Sequence, residues 1–125
     1  MINTIEQFGR NAGNIWETLQ QYGPLSGKDL LKKTHLRAYE IDIGIGWLAR
    51  ENKVYFDGMN YQLSDTNLIE PIGLNAGKIW HELYEVDDIN LRSLQKKLDL
   101  AEQEFFQAIG WLAREDKIQF DTTTR

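Results

Sequence analysis

Four cations crowd one short stretch of the chain: Lys28, Lys32, Lys33 and Arg37, opposed locally only by Asp29. His35 and Tyr39 stand beside them. Ammonium and guanidinium groups at that density hold phosphate oxygens, and an arginine can do so with two parallel hydrogen bonds. The plainer alternative is a solvated face of a short helix, where lysine is common. A second stretch repeats part of the pattern with Arg92, Lys96 and Lys97, but Ala101-Glu102-Gln103-Glu104 follows it. Two carboxylates there would be repelled by phosphate, although Glu can accept from cytosine.

Residues suited to catalysis are scarce. The chain has no cysteine, hence no disulfide framework, thiolate zinc site or cysteine nucleophile. Of the two histidines, His81 shares a helical face with Glu85 at i, i+4. His81-Glu82-Leu83-Tyr84-Glu85 departs from the zinc-protease pattern, which needs a second histidine where Glu85 stands. An exposed polar face is the ordinary reading. Ser26 reads as a helix cap, not a nucleophile, and the ten glycines are spread with no phosphate-cradling loop among them. The expectation is a protein with no enzymatic activity, catalytic residue, metal site or cofactor.

The elements that must position these residues follow from a repeat. At an offset of 64 the two halves of the 125-residue chain align without a gap. Gly9-Arg10-Asn11-Ala12-Gly13-Asn14-Ile15-Trp16 meets Gly73-Leu74-Asn75-Ala76-Gly77-Lys78-Ile79-Trp80. Ile45-Gly46-Trp47-Leu48-Ala49-Arg50-Glu51 meets its copy, residues 109–115, with every residue the same. Between residues 9–57 and 73–121, 22 of 49 positions are identical, which chance does not produce. Two copies are too few for a stacked array. Each is therefore a small domain, or the two form one pseudo-symmetric body. The expected division is residues 1–64, a linker over 65–72 marked by Pro71 and polar residues, and residues 73–125. Leu68, Ile69 and Ile72 imply that part of the linker packs.

Within each copy the periodicities predict three helices and a hairpin. Ala12, Ile15, Trp16 and Leu19 form one apolar stripe, repeated by Ala76, Ile79, Trp80 and Leu83. Gly23-Pro24 ends the first copy's helix and Asp87-Asp88 the second's. Ser26 and its equivalent Asn90 are N-caps of a short second helix. A tight turn, Thr34-His35-Leu36 or Leu98-Asp99-Leu100, precedes a third helix over about 37–51 or 101–115. Ile41, Ile45 and Leu48, matched by Phe105, Ile109 and Leu112, form its stripe. Val54-Tyr55-Phe56 and Tyr61-Gln62-Leu63 flank Asp57-Gly58-Met59-Asn60, a strong hairpin signal. The second copy offers Ile118-Gln119-Phe120 as a strand with little return.

This order of elements resembles the winged helix-turn-helix superfamily over nearly the whole of each unit. The pattern is carried by Leu94, Leu98, Asp99 and Leu100 before a helix ending Trp111-Leu112-Ala113-Arg114-Glu115-Asp116-Lys117-Ile118. In the first copy it is carried by Leu30, Leu36 and Trp47 to Val54. More narrowly, Asn-Ala-Gly-x-Ile-Trp with Gly-Trp-Leu-Ala-Arg-Glu is similar to a small bacterial winged-helix family of unknown function, usually a single unit; here two are fused. The expected fold is mainly α with small β-hairpins: two tandem winged helix-turn-helix units, the second with a truncated wing. In the superfamily the third helix enters the major groove and the wing touches the DNA backbone. The resemblance thus implies a DNA-associated regulator.

Charge divides the copies. Residues 1–64 hold seven Lys or Arg and seven Asp or Glu, whereas residues 65–125 hold seven and twelve. The whole net charge of −5 therefore belongs to the second copy, and the two cannot serve equally as DNA readers. The leading expectation is duplex DNA held by unit one through Lys28, Lys32, Lys33, Arg37 and Tyr39. Its third helix begins Arg37, Ala38, Tyr39, Glu40, too poor in base-reading side chains for sequence-specific recognition. The competing expectation is a protein–protein adaptor without nucleic-acid binding, its partner met through unit two.

Four tryptophans form two repeat-related pairs. Trp16 and Trp80 read as core. Trp47 and Trp111 are turned about 100° from their helix stripes, next to Gly46 and Gly110, which allow close backbone approach. They are expected either at a unit–unit or partner interface or in ordinary intradomain packing. The molecule would then be a monomer of pseudo-dimeric units or a weak homodimer. The longest apolar run, Ile43 to Ala49, is far shorter than the roughly 20 residues of a membrane span. The start, Met1 to Glu6, has neither a basic nor an apolar segment. No membrane partner and a cytoplasmic location are expected.

Overall fold

The computed structural model describes residues 4–85 and 90–119. In the first unit α1 spans Thr4–Tyr22, α2 Gly27–Thr34 and α3 Ala38–Arg50, followed by β1 (Val54–Phe56) and β2 (Tyr61–Leu63). The second unit has α4 (Ile69–Glu85), α5 (Leu91–Leu98) and α6 (Glu102–Arg114). Among the described residues six helices and a two-stranded antiparallel hairpin thus make a mainly α fold in two tandem units.

Local chemistry sets the boundaries. Gly23 takes φ +80 and donates its N–H to the Leu19 carbonyl at 2.9 Å, closing α1. The Ser26 hydroxyl accepts from the Asp29 N–H at 3.1 Å, and the Asn90 side chain accepts from Ser93 at 2.8 Å. The two N-caps are as the repeat predicts. His35 and its equivalent Asp99 both adopt left-handed φ and terminate α2 and α5. The third helices share one device: Glu40 accepts from the Arg37 N–H at 2.8 Å, and Glu104 from the Ala101 N–H at 3.1 Å.

In the hairpin Val54 pairs with Leu63, Tyr55 with Gln62 and Phe56 with Tyr61. Leu25 adds one antiparallel bridge, exchanging backbone hydrogen bonds with Tyr61 at 3.0 and 2.8 Å. At the tip the Asp57 carboxylate accepts from the N–H groups of Met59 and Asn60 at 2.8 and 2.7 Å. These bonds, Asn60's first, hold its carboxyl below the usual range. In the second unit residues 117–119 follow α6 without a strand. Ile118 is buried in the second core. The rest of that expected wing, like the helix end placed at Asp87-Asp88, lies outside the described residues.

The stretch 65–72 is only partly a connector. α4 already begins at Ile69, with Pro71 tolerated in its first turn, where an N–H has no helical acceptor. The preceding residues are clipped to the first unit. Asn67 gives its amide to the Phe56 carbonyl at 2.7 Å and accepts from the Phe56 N–H at 3.0 Å. Asn52 accepts from the Thr66 N–H at 2.8 Å.

Two hydrophobic clusters form, and each borrows from the other unit. The first is built on Ala12, Ile15, Leu19, Leu30, Ile41, Ile45, Leu48 and Val54, yet includes Ile72 of α4. The second is built on Ala76, Ile79, Leu94, Phe105, Ile109 and Leu112, yet includes Phe8 of α1 and Ile43 of α3. Trp47 and Trp111 each pack against both clusters.

Candidate nucleic-acid interface and the joint between units

The centre of the molecule is the contact of α3 with α6. A Cβ on Gly46 would fall inside the van der Waals shell of the Gln107 carbonyl. A Cβ on Gly110 would do the same to the Ile43 carbonyl. Since 46 and 110, like 43 and 107, are equivalent in the repeat, the crossing is pseudo-two-fold. Only residues without a side chain permit backbones to approach this closely. The helices run parallel: Tyr39 meets Phe106 near the amino ends, with ring centroids 5.6 Å apart. At the carboxyl ends Arg50 pairs with Glu115 and Arg114 with Glu51, each Nε–Oε2 distance being 2.9 Å.

The joint occupies the face that the resemblance assigns to the major groove. Seven of the thirteen residues of α3 are buried: Ile41, Ile43, Gly44, Ile45, Gly46, Leu48 and Ala49. Glu40, Asp42 and Trp47 are half-buried, leaving Ala38, Tyr39 and Arg50 exposed. A helix enclosed on two sides cannot lie lengthwise in a groove; only its first turn and its cap reach solvent. In α6 a similar seven are buried, from Phe105 to Ala113. Of the acidic pair there, Glu104 is spent on capping its own helix, while Glu102 faces Asp42 across the joint.

The basic cluster lies outside this joint. Lys28, Lys32, Lys33 and Arg37 are all exposed, and Asp29 among them is half-buried. α2 places Lys28 in its first turn and Lys32 and Lys33 in its last; Arg37 is the N-cap of α3. The Lys33 ammonium sits 4.1 Å from the centroid of the Tyr22 ring. Tyr39 leans on Phe106 of the second unit while keeping 38% of its surface. His35 supplies the left-handed residue between α2 and α3. In the second unit Lys97 is paired with Glu82. The described wing, residues 54–63, contains no Lys or Arg for phosphate contact.

Trp47 and Trp111 stand on either side of the pseudo-dyad. The Trp47 ring lies against Gly9 of its own α1, with the Arg114 guanidinium of the other unit 5.9 Å from its centroid. The Trp111 ring lies against Gly73, with Arg50 at 5.7 Å.

Three polar features of the joint carry no signal in residue type alone. The Tyr61 hydroxyl, on the first unit's wing, accepts from Gln103 at 3.2 Å and from the buried Gln107 at 3.3 Å, tying wing to α6. Burial raises the Tyr61 phenol pKa. Asp42, facing α6, has its pKa pushed up to about 7, first by burial and then by the Glu102 charge. The Arg–Glu exchange sits within the identical run Ile-Gly-Trp-Leu-Ala-Arg-Glu, and that identity was its sequence signal.

Among the described residues no helix is long and apolar enough to cross a membrane, and no cluster of three or more His, Asp or Glu could hold a metal ion. His81 meets Glu85 at 3.7 Å on an exposed helix face. Comparison with curated proteins and with solved structures returned no match. A family model described as "Winged helix-turn-helix domain (DUF2582)" matches twice, over residues 3–67 and 65–125. Three helices per unit with a tight turn before the third, a hairpin after the first trio, and two matches spanning almost the whole chain agree: it belongs to this winged helix-turn-helix domain family and carries the domain twice.

Proposed function

We propose that the chain is a non-enzymatic binding module that holds duplex DNA by its phosphates, without reading base sequence. The contact is the exposed corner of α2 and α3 in unit one, with Lys28, Lys32, Lys33 and Arg37 as phosphate ligands and Tyr39 beside them. One observation carries this reading: the four cations stay accessible while the body of α3 is enclosed by α6. Affinity must then come from counterion release, which is indifferent to sequence. The two units, 1–64 and 73–125 joined through 65–72, act as one monomeric body, with Trp47 and Trp111 in the joint between them.

Duplex titration of the full chain at two salt concentrations tests this. Four phosphate contacts give a log–log salt slope of about −3.6. Duplexes of unrelated sequence should bind equally, and Lys32→Glu with Lys33→Glu should abolish binding. Undetectable duplex binding at low salt overturns the reading. A second reading, a protein–protein adaptor, is favoured by one feature of unit two. Leu74, Trp80 and Tyr84 are exposed on α4, and the Trp80 and Tyr84 rings are stacked at 5.4 Å. Their first-unit equivalents are Arg10, the half-buried Trp16 and Gln20. Substituting Trp80 and Tyr84 should leave DNA binding intact and abolish adaptor function.

A further inference from the structure

At the carboxyl ends of α3 and α6 the two units build two ion-pair trios, one on each side of the pseudo-dyad. Glu115 takes Arg50 on Oε2 at 2.9 Å and Lys117 on Oε1 at 3.5 Å. Glu51 takes Arg114 on Oε2 at 2.9 Å and Lys53 on Oε1 at 3.5 Å. Four cations thus share two carboxylates. The helix carboxyl ends oppose this excess with about half a negative charge each, and Asp116, next to Glu115, adds a carboxylate, so the directed guanidinium forks, not net charge, must hold a ligand here. Arg50, Arg114, Glu115 and Lys117 line a cleft of about 470 Å³ at this end.

The arginines in that cleft are held in place. Each donates from Nε to the other unit's glutamate, and each lies near the other unit's tryptophan ring, Arg50 at 5.7 Å and Arg114 at 5.9 Å. The edge of each guanidinium between Nη1 and Nη2 is not spent on the glutamate. A fork anchored in this way loses less conformational freedom when it binds an anion. Two forks related by a pseudo-two-fold axis call for a ligand with acceptor pairs on opposite sides. A tetrahedral oxyanion has them; a planar carboxylate has one edge.

We propose that this cleft is an anion site for a phosphate dianion, free or as a phosphomonoester. Arg50 and Arg114 grip it from the two units, Lys117 lines the cleft beside them, and Lys53, paired with Glu51 outside the lining, adds charge at longer range. It is separate from the Lys28, Lys32, Lys33 and Arg37 corner, and duplex DNA, whose diesters carry one charge each, is not its ligand.

The test is NMR titration of the full chain with inorganic phosphate, against sodium chloride at equal ionic strength. Saturable shifts should appear at the Trp47 and Trp111 indole N–H and the Arg50 and Arg114 Nε–H signals, and not with chloride. Arg50→Gln with Arg114→Gln should weaken binding about tenfold or more, since it removes both forks. Because that pair also loosens the joint, Lys53→Gln with Lys117→Gln serves as the second variant, expected to weaken binding about threefold with the melting temperature kept. Adenosine monophosphate distinguishes the sources: tighter binding than phosphate assigns a monoester, weaker binding assigns the free ion. The proposal is overturned by shifts that stay linear, by shifts confined to residues 28–37, by unchanged affinity in the lysine pair, or by equal binding of dimethyl phosphate.

Discussion

The joint and the outer surfaces of this protein have diverged to different degrees between its two copies. At the joint, residues 45–51 and 109–115 are the same residue for residue. There each copy meets its own image: Gly46 passes Gln107, Gly110 passes Ile43, and each arginine reaches the other copy's glutamate. On the outside the copies part. Lys28 and Arg37 in one correspond to Arg92 and Ala101 in the other, and the half-buried Trp16 corresponds to a Trp80 40% exposed and stacked on Tyr84. In the carboxyl-end half of the joint a self-complementary contact constrains both copies together, because any change in one must fit its image in the other. Toward the amino ends the copies differ, Ile43 standing where Gln107 does. An outer face answers only to its own ligand. The difference separates what holds the body together from what it presents to partners.

The largest effect should come from Gly46→Ala. Its new methyl would run into backbone, which cannot swing aside, so a loss of about 3 kcal/mol or more is expected, read as the drop in thermal stability. Gly110→Ala should do the same. If either is silent, the joint is looser than the comparison requires.

Next is Asp42→Asn. The carboxyl pKa of Asp42 is raised to about 7 in the folded state, against 3.8 for a free group. The folded state therefore favours the protonated form. Its contribution is present in full below about pH 4 and is lost as pH rises through 7. Discounted for partial exposure, ionisation should cost about 1–2 kcal/mol. Denaturant titrations at pH 5 and pH 8 should show that the variant flattens this decline and is the more stable protein at pH 8. Tyr61→Phe should cost about 1 kcal/mol by leaving the Gln107 amide without its acceptor, seen as a lower denaturation midpoint at unchanged slope.

The smallest effect has the opposite sign. Gly13 lies on the outer face of α1, and a Cβ there would meet nothing within 4 Å. Gly13→Ala should stabilise by about 0.5–1 kcal/mol, through helix propensity alone. One substitution type, glycine to alanine, thus reports joint and surface with opposite signs.

What could be read from residue order divides along a similar line. Stripes, caps and the Asp57-Gly58 turn are local, so Ser26, Asn90 and the hairpin register follow from spacing. Offset 64 exposes the tandem arrangement, and the glycines beside Trp47 and Trp111 announce a close approach. Which backbone approaches is a tertiary fact. Ile43 reads as one more apolar residue of α3, and only the parallel crossing sends it into the second core. Tyr61 reads as a strand residue, and only the wing's position gives its hydroxyl to Gln103 and Gln107. The same crossing removes from α3 the groove-facing role implied by resemblance. Nothing in its own sequence marks that face as covered, since the cover is supplied 64 positions later.

That separation carries a consequence for synthesis. The mate of α3 is made after it, and at about 5–20 residues per second the wait for 64 further residues is roughly 3–13 s. Over that interval the nascent first half presents a glycine-lined apolar helix face with no cover. The same face on a neighbouring nascent chain would fit it, because either copy's third helix is shaped to receive the other. Crowded polysomes would therefore be where halves could exchange between chains, and a connection held close to its own unit, as the bonds of Asn52 to Thr66 and of Asn67 to Phe56 hold this one, raises the effective concentration of a chain's own second half.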